Sequence, residues 1–106
     1  MPYETAVFDW RAGERRVDDA PPRERHELER VVSALVAELR RRIGSTFTVD
    51  ELACLYDQGT DWCLGVAERV APEAPYAWDM SLVADAAFAR YLRSASDYAG
   101  GRRLYE

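Results

Sequence analysis

The run from Pro22 to Gly44, PRERHELERVVSALVAELRRRIG, constrains this chain more than any other stretch. Drawn at about 100° per residue, Leu28, Val31, Val32, Leu35, Val36, Leu39 and Ile43 fall within an arc of roughly 140°. Arg23, His26, Glu27, Arg30, Ala37 and Arg41 take the opposite side. The spacing predicts an amphipathic helix over 22–43 whose apolar face other elements must cover. Its ends carry matching chemistry. Asp18, Asp19 and Pro21-Pro22 suit a helix start, where acids meet the positive dipole end and proline sacrifices no bond. Arg40-Arg41-Arg42 suits the last turn, and Gly44 a left-handed position just beyond it. Arg23 with Glu27 and Glu38 with Arg42 stand at i,i+4.

The second long segment starts at Thr48-Val49-Asp50-Glu51, which matches a capping box. From Val49 to Ala71 the apolar phase runs unbroken. Leu52, Leu55, Tyr56, Trp62, Cys63, Val66, Ala67 and Val70 share one arc of roughly 140° on a continuous wheel, with Gly59 at its centre. One helix over 49–71 is therefore expected, with Gly59 as the small residue at a close helix crossing. Glycine costs about 1 kcal/mol there relative to alanine, which packing can offset. On that helix Cys54 and Cys63 lie about 180° apart and cannot be bridged, so Cys63 is expected buried and Cys54 accessible.

Pro72 stops this helix, and residues 72–79, PEAPYAWD, form a rigid connector. Tyr76 and Trp78 are expected to close the end of the core. Asp79 or Ser81 caps a last helix over 80–99, with Ala84, Ala87, Phe88, Tyr91, Leu92, Ala95 and Tyr98 as its buried stripe. Gly100-Gly101 ends it, and 100–106 is a tail.

Residues 3–10, YETAVFDW, alternate imperfectly and favour β-branched and aromatic types. The chain is expected to turn at Arg11–Glu14 and return over Arg15–Val17 as a short β-hairpin, or to run as an extended arm whose Trp10 clasps a partner. The 106 residues thus predict one mainly all-α domain: an antiparallel three-helix bundle of 22–43, 49–71 and 80–99, with an N-terminal hairpin or arm over 1–17.

Composition narrows the function classes. All fourteen basic residues are arginine and the net charge is −5. Arginine without lysine, and a single isoleucine, reflect GC-rich codons rather than selection for phosphate contacts, and the acidic balance argues against a nucleic-acid-binding surface. No apolar run reaches the roughly 18 residues that span a bilayer. The start lacks the basic and apolar regions of a secretion signal, so a cytoplasmic protein is expected.

Catalytic and metal templates do not fit. His26 is the one histidine and sits near 160° from the apolar centre of its helix. Paired Glu-x-x-His motifs for a di-iron bundle are absent, Cys54, Cys63 and His26 lack zinc spacing, and no glycine-rich phosphate loop occurs. No catalytic residue, metal or cofactor is assigned. What remains is a surface pattern. Asp50, Asp57, Asp61 and Glu68 align opposite the core stripe of the 49–71 helix, an acidic ridge suited to a basic partner.

The expected function is a non-catalytic interaction or regulatory module that docks a protein partner or a second copy of itself as a homodimer. Two alternatives accompany it. Residues 48–71 fit the length of a helix-turn-helix, although the second helix would bring Asp61 and Glu68 toward phosphate with Arg69 as its one cation. Trp62, Tyr76, Trp78 and Tyr91 would line an aromatic pocket in a ligand-binding protein or enzyme.

Overall fold

The computed structural model describes residues 3–43 and 49–98. These form five helices and, among the described residues, no strand: α1 (Tyr3–Asp18), α2 (Pro22–Ile43), α3 (Val49–Asp57), α4 (Asp61–Val70) and α5 (Met80–Tyr98). The Gly44 cap, the Thr48 end of the capping box and the 100–106 tail lie outside the described residues.

α2 matches its expected bounds and buries Leu28, Val31, Val32, Leu35, Val36 and Leu39. α5 starts where expected, with Asp79 as its cap: Oδ1 accepts from the amides of Ser81 at 2.9 Å and Leu82 at 3.4 Å. α5 buries Val83, Ala84, Ala86, Ala87, Phe88, Ala89, Tyr91 and Leu92, which point to nearly every side of the helix. It is enclosed because α1, α2 and α4 all pack on it. The four alanines let those neighbours approach closely.

The N-terminal hairpin or arm is overturned, because residues 3–18 are helical. Val7, Trp10, Glu14 and Val17 are all buried, and their 3-4-3 spacing is helical rather than alternating. Trp10 is 1% exposed, so it cannot clasp a partner. It packs with Phe88 at 5.3 Å and Tyr56 at 5.7 Å between ring centroids, joining α1, α3 and α5. Gly13 is the close crossing rather than a turn. A Cβ there would lie 2.6 Å from Asp85 Cβ, 3.2 Å from the Leu82 carbonyl and 3.3 Å from the Ala86 amide. Only glycine lets α1 lie this close to α5.

The single 49–71 helix is also overturned. Gly59 has φ +123°, which an L-residue rarely adopts, and the helix breaks there. The amide of Gln58 closes α3 on Cys54 O at 3.0 Å, and the amide of Cys63 opens α4 on Thr60 O at 2.9 Å. The unbroken apolar phase has a different cause: each short helix separately turns a face inward, Val49 and Leu52 from α3, Cys63, Val66 and Ala67 from α4. The long helices are therefore α1, α2 and α5, and not the three expected.

A charged cluster holds those long helices together. Arg90 grips Glu29 with its two terminal guanidinium nitrogens, at 2.6 and 3.1 Å, and its Nε lies 3.6 Å from Glu14. Arg93 also bonds Glu14, which is 8% exposed. The Arg90 hydrogen bond holds the Glu29 carboxyl below its usual range.

Candidate docking face

The break at Gly59 divides the acidic ridge. Asp50 and Asp57 sit seven residues apart on α3, and Asp61 and Glu68 seven apart on α4; all four are exposed. Two turns of helix bring each pair to within about 20° of one direction. Between the α4 acids stands Leu64, half exposed at 50%. Asp61, Leu64 and Glu68 occupy an arc of about 60° opposite the inward face of Cys63, Val66 and Ala67.

Leu64 and Glu68 border a shallow groove of about 240 Å³ between α4 and the 71–79 connector, whose far wall includes Tyr76, Trp78 and, at the start of α5, Met80. The connector takes this shape because Pro72 and Pro75 cannot continue a helix. Tyr76 and Trp78 stack, with centroids 6.0 Å apart and planes 18° from parallel. Trp78 Nε1 is buried without a hydrogen-bond partner. The result is an apolar trough with an acidic lip.

The four aromatic residues expected to form a pocket are spread out. Tyr76 and Trp78 share the trough. Trp62 points about 160° away from Leu64 around α4, beneath the Arg42 guanidinium at 4.7 Å. Tyr91 is in the core at 1% exposure, and burial pushes its hydroxyl up to about 12.

The two cysteines are free, Cys54 exposed and Cys63 buried, as expected, although they lie on separate helices. Burial raises the Cys63 thiol to about 12, which leaves it protonated and unreactive at neutral pH. His26 is exposed on α2. Among the described residues no three His, Cys, Asp or Glu side chains could hold a metal ion, and no helix is long and apolar enough to cross a membrane.

A second polar site escaped the sequence reading. Tyr56 donates to Asp85 Oδ1 at 2.6 Å, beside Asp9, Asp79 and Arg16 in a cleft between α1 and α5. Burial raises the Asp85 carboxyl, the Tyr56 bond opposes this, and Asp9 adds to it. Burial and Asp85 together raise the Tyr56 hydroxyl. Leu64 and Met80 were missed as well. The available signal for Leu64 was its position, an apolar residue between two acids on the polar side of its helix.

Comparison with protein-family models, with curated proteins and with solved structures found no match to this chain.

Proposed function

We propose that the chain is a protein-interaction module without catalytic chemistry, which docks a basic, amphipathic segment of a partner on the α4–connector face. One observation carries this reading: Leu64, half exposed between Asp61 and Glu68, at the lip of an apolar trough. An exposed leucine beside stacked aromatics favours an apolar anchor from the partner. The flanking acids select a segment with cations at either side of that anchor and speed its approach.

The test is affinity for the partner that co-purifies from the native cell, measured by calorimetry. Leu64→Ser and the pair Asp61→Arg with Glu68→Arg should each weaken binding at least about tenfold, or about 1.4 kcal/mol. Melting should shift little, since exposed charges contribute little to folding. Added salt should weaken the wild-type complex. Full affinity in the reversed variant contradicts the reading.

A nucleic-acid-binding regulator is the second reading, favoured by one observation. α3, a three-residue break at 58–60 and α4 follow the order and lengths of a helix-turn-helix. The face of α4 that would enter a groove carries Asp61 and Glu68 against Arg69, so phosphate repulsion weighs against it. Salt-sensitive binding to generic duplex DNA would reverse that ranking.

A further inference from the structure

A larger groove lies on the other side of the connector, and the docking face does not account for it. It measures about 740 Å³ and runs between the first two turns of α2 and residues 70–76. Ala71, Pro72, Ala74 and Tyr76 border both grooves. Concave sites of roughly 300–1,000 Å³ with apolar walls and a few polar groups are the usual form of small-ligand sites.

Its walls specify what would fit. Pro22, Val70, Ala71, Pro72, Pro75 and Tyr76 give an apolar surface with one aromatic ring. Arg23, His26, Glu27 and Arg30 border it from α2, and their 3-1-3 spacing puts them on one face. Arg30 is already committed. Its Nη1 bonds the Glu27 carboxylate at 3.2 and 3.3 Å, and its Nη2 bonds the Val70 carbonyl at 3.3 Å, tying α2 to the end of α4. Arg23 and His26 have no hydrogen bond or ion pair among the described residues. Arg23 therefore keeps its whole guanidinium fork for a ligand. Glu73, on the opposite wall, adds negative charge.

This charge balance decides between ligand classes. Arg23 and Arg30 against Glu27 and Glu73 leave the lining without net charge, and of its two guanidinium groups only that of Arg23 is unengaged. A phosphate monoester or polyanion, with two or more charges, would need more than the one free guanidinium this wall supplies. A single carboxylate matches one guanidinium fork in shape and charge. We infer that this groove binds a small organic monocarboxylate, its carboxylate held by Arg23 with His26 beside it and its apolar body laid on the prolines and Tyr76. The inference does not rest on the docking reading, although the two grooves share the wall of Ala71, Pro72, Ala74 and Tyr76.

The experiment is titration of the full chain with phenylbutyrate and with octanoate, followed by calorimetry and amide chemical shifts. At least one carboxylate should bind saturably with Kd below about 1 mM, and the shifts should concentrate at 23–30 and 70–76. Phenylbutanamide, which lacks the charge, and the Arg23→Gln variant should each lose about tenfold or more. Arg23 is exposed, so that variant should melt with the wild type. Tyr76→Ser offers a second check, weakening phenylbutyrate more than octanoate. Any one of four results overturns the inference: no saturable binding by either acid, equal binding of the amide, equal binding by Arg23→Gln, or tighter binding of phenyl phosphate than of phenylbutyrate.

Discussion

The two sides of this molecule handle their polar groups in opposite ways. Where α1, α2 and α5 meet, charge is paired: Glu14, Glu29, Arg90 and Arg93 bond one another across three helices. Around the connector, where α4 and the start of α2 flank it, charge is left open apart from the Arg30–Glu27 pair. Asp61 and Glu68 face solvent, Leu64 is half exposed, and Arg23 and His26 stand unpaired at a groove. A side chain committed to a neighbour stabilises the fold and is lost to a ligand. The closed side holds the shape, and the open side keeps its groups for something else.

The comparison breaks most visibly at Gly13. Gly13→Leu forces atoms into the Leu82 and Ala86 backbone, which cannot rotate aside. The cost should reach or exceed the upper end of the roughly 1–3 kcal/mol typical of overpacking, seen as a large fall in Tm or loss of folding. Next in size is Arg90→Met. The Arg90–Glu29 pair is only partly buried, with side chains 20% and 39% exposed, and Arg93 still reaches Glu14, so the loss should fall below the roughly 3–5 kcal/mol of a fully buried pair, at about 1–2 kcal/mol. Denaturant unfolding measures it. A change below about 0.5 kcal/mol would show the cluster to be a surface ornament of the fold.

Gly59→Ala is smaller, and its sign is what matters. At φ +123° an added Cβ should cost about 1 kcal/mol or more. Inside a continuous helix the same change would stabilise by about 1 kcal/mol.

These two glycines show where the sequence was legible and where it was not. The reading placed a turn at Gly13 and a helix crossing at Gly59, and the roles are exchanged. Glycine serves both purposes, and sequence alone does not separate them unless the flanking phase does. At Gly59 the phase misled, because two helices facing one core preserve it across a three-residue break. At Gly13 the phase was informative. Val7, Trp10, Glu14 and Val17 keep helical spacing, but the buried acid among them and the aromatic-rich start hid the pattern. α2 and α5 were readable because apolar stripe, cap and proline agree. The four acids are exposed, but the four aromatics read as one pocket lie apart, since their grouping depends on where the connector folds back.

The smallest expected effect is in pH dependence, and it separates two carboxyls. Glu29 titrates below its unfolded value, so its contribution is present above that value and lost as pH falls through the folded one. Asp85 titrates above its unfolded value, so it penalises the fold at neutral pH, and the penalty fades as pH falls through its folded value toward 3.8. Asp85→Asn keeps an oxygen for Tyr56 and should therefore gain stability relative to wild type at pH 7, with the gain vanishing near pH 3.8. Chemical unfolding at the two pH values checks it.

The contrast between a closed and an open side is tested most directly by native-state hydrogen exchange, read residue by residue. α5 is packed by α1, α2 and α4, so its central amides, from Val83 to Leu92, should exchange only through global unfolding. The α4 amides have one buried face and an unsupported turn at Gly59, and should open locally at a free energy lower by at least about 2 kcal/mol. Protection in α4 equal to that of α5 would contradict the account, because the molecule would then be a single cooperative unit without an open side.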